Sequence, residues 1–276
     1  MQSVATMNDG EKPECRKRFL GEMTQYRDLL VMLTWRDLKI RYKQSVMGLL
    51  WAILMPILII GSGLLVMVAF STISGRPINK ADVLSIAVKS VPWAFFVAAI
   101  RFATNSLVAN KELVTKIYFP RAVLPISSVF AALFDFLVAA SVVAVICGLA
   151  RIGTSTHLLW VPVLLVLLVM LTMGLCLFLS CANLFFRDVK YLVEIGLTYG
   201  IFFTPIFYSA SKLGRWGTFL LLNPLAVVLE SINRVVVLHQ APDLGWLGYA
   251  GAWAILGSLL AYKIFQKAES AFAENI

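Results

Sequence analysis

The stretch NKELVTKIYFPRAVLP, residues 110 to 125, sets Lys111, Glu112, Lys116 and Arg121, with Tyr118 among them, between two long apolar runs. Charged groups this closely spaced either hold a short helix against a complementary protein groove or merely keep a loop in water. Arg36, Lys39 and Arg41 form a second cluster, all cationic. At a membrane surface each such charge draws anions by about 1 kcal/mol, and it does so for any anionic lipid. Catalytic chemistry is harder to find. The chain contains no GxxxxGK[ST] loop to cradle nucleotide phosphates, and its only histidines, His157 and His239, have no Ser, Cys or carboxylate arrangement resembling a triad. No loop carries an acidic cluster fit for a divalent cation. Cys147, Cys176 and Cys181 fall in apolar runs and Cys15 in a polar one, without zinc spacing, so neither a metal nor a disulfide is expected.

The elements that must position these groups follow from composition. With 60% hydrophobic and 14% charged residues, and a mean hydropathy of +0.84, the chain holds more apolar surface than one soluble core can hide. A membrane location is expected, with the first span acting as an uncleaved insertion signal. Since a hydrocarbon core of about 30 Å takes about 20 helical residues, six runs qualify as spans. They are 47–70, 83–109, 122–149, 158–184, 191–208 and 244–265. Lys89 and Arg101 sit in the second; Lys89 is expected to snorkel to an interface, while Arg101 lies deeper. At 1.5 Å per residue Arg101 stands about 12 Å, and Asp135 of the third span about 20 Å, from the same membrane face, which favours separate structural hydrogen bonds over direct pairing. Gly245, Gly248 and Gly251 are expected to let the last span pack closely.

Residues 24–46 are too charged to cross but helical in pattern. Val31, Trp35, Leu38 and Tyr42 share one stripe and Tyr26, Leu29, Leu30 and Leu33 another, as in a helix lying in the interface. Between the last two spans, FLLLNPLAVVLESINRVVV is broken by Asn223-Pro224 and interrupted by Glu230 and Arg234. The region 212–240 therefore reads as two short helices that dip into one face and return. The fold class is all-α, a polytopic membrane protein with six transmembrane helices. Its organisation is a polar tail over 1–23, the interface helix over 24–46, a membrane domain over 47–265 and a second tail over 266–276. Sixteen Lys and Arg fall on the side of both termini and seven on the other, with Arg101 unassigned. That places both termini and the 110–120 loop in the cytoplasm. The net charge of +9 is read as this asymmetry, not as a nucleic-acid surface.

The run ATNSLVANKELVTKIYFPRAVLPISSV, residues 103 to 129, resembles the signature of the permease subunits of polysaccharide-exporting ABC transporters, the O-antigen, capsule and teichoic-acid exporters. RDLKIRYKQSVMGLLWAILMPI, NLFFRDVKYLVEIGLTYGIFFTPIFY and LNPLAVVLESINRVV support the likeness in order and spacing. It implies a homodimeric permease in the bacterial cytoplasmic membrane that recruits two ATP-binding-cassette ATPase subunits. ATP and Mg would then belong to that partner, and no cofactor to this chain, which is not itself an enzyme. It further implies that 110–120 is a coupling helix, with Lys111, Glu112, Lys116 and Tyr118 meeting the ATPase, Asn110 capping it and Pro120 ending it. Arg36, Lys39 and Arg41 would attract the phosphate of a lipid-linked polysaccharide, or else serve as ordinary positive-inside anchors. Tyr199, Phe202, Phe203, Phe207 and Tyr208 would offer ring faces along which sugar C–H faces slide, or else form an interfacial aromatic belt. The charge at Lys89 and Arg101 departs from the family pattern. A lipid-linked, O-antigen-like polymer is the first expectation, then a capsule or teichoic-acid polymer, then a small lipid or drug. A membrane enzyme acting on lipid-phosphate sugars is the rival from another class.

Overall fold

The computed structural model describes residues 26–43, 50–75, 78–116, 119–149, 153, 155–208, 214–269 and 272. All regular structure among them is helical. Helix α1 is Arg27–Lys43, α2 Leu50–Ser74, α3 Lys80–Ala109, α4 Lys111–Lys116 and α5 Val123–Leu149. A 3-10 turn, Thr156–Trp160, feeds α6, Val161–Phe185; α7 is Val189–Gly200, α8 Arg215–Leu220, α9 Pro224–Val236 and α10 Leu244–Glu269. Among the described residues four helices are long and apolar enough to cross a membrane: α3, α5, α6 with its leading turn, and α10. Helix α2 has 25 residues and an apolar stretch over Ile57–Ile73.

Among the four, α3 is the most buried, and it packs on α5 and α6 while α6 packs on α10. Small residues make this possible. Ala99, Ala103, Ala132, Ala250 and Ala254 are all buried in the main core, where helix backbones must come close. A close crossing lies where Gly174 of α6 meets Ser258 of α10: a Cβ at 174 would come within 3.0 Å of the Ser258 Cα. Ser258 Oγ also donates to Met170 O at 2.9 Å. The expectation that Gly245, Gly248 and Gly251 serve this purpose is corrected, since a Cβ at 248 would meet nothing within 4 Å, and at 245 only the side chain of Asp243, two residues back. At 251 it would touch Leu167 at an ordinary 3.9 Å.

The expected fifth span, 191–208, is helical only to Gly200, and turns occupy 201–205. Twelve helical residues rise about 18 Å, short of the ~30 Å hydrocarbon core. On either side of Asn223-Pro224 stand two short helices, α8 and α9, as the sequence predicts. Asn223 Oδ1 accepts the Leu225 N–H at 3.1 Å and Pro224 occupies the first turn, where it has no intrahelical bond to lose. Helix α9 is buried nearly all round, packed on α3, α6 and α10. At the other end of the bundle Leu33, Leu107, Val114, Leu124, Leu177 and Phe265 build a second, smaller core.

Candidate functional site

The charged loop is wired into that smaller core. Lys111 and Glu112 of α4 are exposed while Val114 is buried among residues of α1, α3, α5, α6 and α10. This is the one-sided burial of a short helix that offers charge outward and grips the bundle inward. The side chain of Lys116, and Ile117 and Tyr118 altogether, lie outside the described residues. Asn110 does not cap α4 with its side chain as expected: its Nδ2 donates to Ser106 O at 2.8 Å, and its backbone carbonyl accepts from Leu113 and Val114. Just beyond the loop the Arg121 N–H donates to Glu269 Oε1 at 2.8 Å, and the Arg121 guanidinium donates to the Glu269 carbonyl. The loop therefore joins the last turn of α10 as well as α3 and α5. No local pattern announces that link.

The cationic cluster of α1 does not act as one. Arg36 pairs with Asp37 at 2.9 Å, and Ser127 Oγ donates to the same carboxylate at 3.2 Å. Arg41 pairs with Asp135 at 2.8 Å and stacks 3.7 Å from the Phe102 ring centre, while Lys39 faces the ring of Trp35. Tyr42 donates a hydrogen bond to the second Asp135 oxygen. Burial, followed by that hydrogen bond, pushes the Tyr42 hydroxyl well above the ordinary tyrosine range, so it stays protonated and donating. Asp135 is twelve residues, about 18 Å, into α5. Arg41 and Tyr42 thus reach inward from the end of the bundle. The expected stripes divide: Leu33 and Leu38 are buried, while Val31 and Trp35 point outward with Lys39.

Two cations of α3 fix the course of the chain beside it. Arg101 donates twice to Glu194 of α7, at 2.7 Å each. Lys89 does not snorkel to an interface as expected: it is only 1% exposed, donates to Tyr208 O at 2.6 Å and lies 3.5 Å from Glu230 of α9. In an apolar interior a charge must find partners, and an inward-facing α9 supplies a carboxylate. The two cations are about 18 Å apart along α3, and their partners run in the opposite sense. The chain from α7 to Tyr208 therefore lies antiparallel to α3 although its helix stops midway.

The five aromatics of YGIFFTPIFY separate into two groups. Tyr199, Phe202 and Phe203 are exposed. Phe207 instead fills the space over Gly63 of α2, where a Cβ would come within 2.7 Å of its ring, and Tyr208 turns its hydroxyl to Phe202 O at 2.8 Å. Sequence reasoning missed the partners Glu194, Glu230 and Glu269, although Glu230 stood out as a charge in an apolar run.

Long apolar helices, with a charged α1 and a short charged α4 packed against one end of them, make a membrane-embedded helical bundle. The ABC-2 type transporter family model matches residues 28–236, and the chain belongs to that family. It is 30% identical over 263 residues to the O-antigen export system permease protein RfbA of Myxococcus xanthus, across 94% of this chain and 99% of that protein. A protein of the same name from Klebsiella pneumoniae is 30% identical over 252 residues, 90% of this chain and 94% of that one. The resemblance carried by residues 103–129 is borne out, and the chain is a membrane protein.

Proposed function

We propose that this chain is the transmembrane subunit of an ATP-driven exporter that moves a lipid-linked, O-antigen-like polysaccharide across the bacterial cytoplasmic membrane. The observation that carries the reading is the match over nearly their whole length to two relatives named as O-antigen export permeases. Two copies of the chain pair with two ATPase subunits, and both termini face the cytoplasm by the excess of Lys and Arg on that side. The chain crosses six times. Helix α2 is the first crossing, the α7 stretch with its following turns a broken fifth one, and α8 with α9 a re-entrant pair surrounded by protein. Lys111 and Glu112, with Lys116 and Tyr118, dock on the ATPase, and Val114 passes its movement to α1, α3, α5 and α10. Exposed Tyr199, Phe202 and Phe203 line the outer part of the path.

The test is made in cells. Deleting the gene should stop surface polysaccharide while lipid-linked polymer accumulates inside. Reversing charge at Lys111, Glu112 and Lys116 together should abolish co-purification of the ATPase and export alike. Unchanged assembly and export in that variant would overturn the docking assignment, and unchanged surface polysaccharide in the deletion would overturn the exporter reading.

A further inference from the structure

Just past α10 the chain turns back to the charged loop. Phe272 is fully buried, and its ring lies edge-on 5.1 Å from that of Phe265 in α10 and 5.9 Å from that of Phe185 in α6. The Arg121 guanidinium stands 5.8 Å from the centre of the same ring, within the range at which a cation is drawn to an aromatic face. Arg121 and Glu269 answer each other in both directions. The Arg121 N–H donates to the Glu269 carboxylate, and the Arg121 guanidinium donates to the Glu269 carbonyl. This is the reciprocal logic of a capping box, made between residues 148 positions apart. A carbonyl in the last turn of a helix has no partner within that helix, and a cation placed there also opposes the negative end of the dipole.

The place of Arg121 in the chain gives these contacts their consequence. Its carbonyl accepts the Leu124 N–H at 3.2 Å, in the first turn of α5, and Pro120 immediately precedes it. With N–H, carbonyl and side chain all engaged, Arg121 cannot turn without disturbing both α5 and α10. Val114 of α4 lies in the same small core as Phe265 and Phe272. The loop is thus fastened to the end of α10 and, through Phe272 and Phe185, to the end of α6. Near the other end of α10, Tyr249 donates to the Leu222 carbonyl at 2.7 Å, beside the Asn223-Pro224 break between α8 and α9. About 30 Å of uninterrupted helix separates Tyr249 from Glu269, so α10 is a rod with the loop at one end and the α8–α9 corner at the other.

We propose that Arg121, Glu269 and Phe272 form a clasp that makes the 110–121 loop and α10 move as one body, so that a push on α4 is delivered to α10 and the α8–α9 corner. All three are positioning residues, and none is assigned a contact with the ATPase. The use made of the clasp rests on the exporter reading and adds which helix the ATPase moves; its rigidity is independent of that reading.

The first test uses the full chain in nanodiscs, with spin labels at exposed Thr115 and Lys263. Glu269→Ala and Phe272→Ala should each broaden the distance distribution. Glu269→Gln should keep it narrow, because the amide oxygen still accepts the Arg121 N–H. The second test is made in cells with the double variant Glu269→Ala/Phe272→Ala. ATPase co-purification should stay within about twofold of the parent while surface polysaccharide falls roughly tenfold, the size of an ordinary coupling between two sites. Glu269→Gln should export as the parent does. Glu269→Ala alone leaves the small core filled and serves where loss of the Phe272 ring lowers the yield of folded chain.

A narrow distribution in both Glu269→Ala and Phe272→Ala, or full export by the double variant, would overturn the clasp. Export and co-purification falling in parallel would place these residues on the docking face and overturn it equally. The deletion strain separates the two claims. Export stopped by deletion but untouched in the double variant sinks the clasp alone, whereas broadened distances with surface polysaccharide unaffected by deletion sink the exporter reading and leave the clasp as a rigid joint.

Discussion

Arg101 and Lys89 stand about 18 Å apart on α3 and tie it to the same length of chain, yet their surroundings differ sharply. Arg101 meets Glu194 with both groups near half exposed, whereas Lys89 is sealed between α3, Tyr208 and α9. The first pair is open to its surroundings on one side; the second is enclosed by packed protein. A pair left half open by the protein is held less rigidly than an enclosed one, which is fixed by the cost of leaving either charge alone. The same helix thus carries a latch at one end and a strut at the other. Movement of α7 against α3 is therefore expected to pivot about the Lys89 end.

The largest effect that tests this contrast comes from the strut. Lys89→Met leaves Glu230 and the Tyr208 carbonyl buried without their cation and should cost ~3–5 kcal/mol of stability, read from the denaturation midpoint of the purified chain in detergent. Changing Glu230 to Gln in the same chain should restore part of the loss, because no unpaired charge then remains. A loss under about 1 kcal/mol in the single variant would show that Lys89 is no more committed than Arg101.

Where the elements lie was legible in the sequence because the 3.6-residue repeat and the length of apolar runs are local signals. The break at Asn223-Pro224 was legible for the same reason: cap and proline sit next to the helix they start. The ends of α7 were not, since LTYGIFFTPIFY keeps its hydropathy through the point where the helix stops at Gly200. The least legible features are partnerships between distant segments. Arg101 and Asp135 invited comparison as the two deep charges, and the structure gives each its own partner, Glu194 and Arg41, more than ninety residues away. Spacing along one helix cannot encode which carboxylate a later helix will bring. Likewise the glycine that needs to be small, Gly174, stands in an ordinary apolar run, whereas the regular Gly245, Gly248 and Gly251 series meets little.

Between strut and latch lies the attachment of α1. Arg41→Met removes the cation from Asp135 but leaves the Tyr42 hydrogen bond, so its cost should fall between the other two, ~1–3 kcal/mol by the same denaturation measurement. The expected sign is loss of α1 docking, read as new protease cleavage near Lys39 to Lys43. Retained protection with unchanged stability would place Arg41 with the half-open Arg101. Tyr42 adds a pH signature. Its hydroxyl holds its proton more tightly in the folded chain than in the unfolded one. Its contribution is therefore complete below the unfolded tyrosine value of ~10 and declines as pH rises above it. Tyr42→Phe should cost about 1 kcal/mol at neutral pH and show a shallower alkaline decline than the parent chain.

The smallest effect belongs to the latch, and its smallness is the point. Arg101→Met should lower stability by less than Lys89→Met does, because Glu194, half exposed, is not sealed in by packed protein when the pair is lost. The distance between α3 and α7 should nevertheless become more variable, which paired spin labels at Val97 and Thr198 would register as a broadened distribution. The same labels on a Lys89→Met background should instead report disturbance centred near Tyr208. If Arg101→Met proves as damaging as Lys89→Met, the half-exposed pair is structural after all, and the asymmetry between the two ends of α3 has no bearing on how α7 moves.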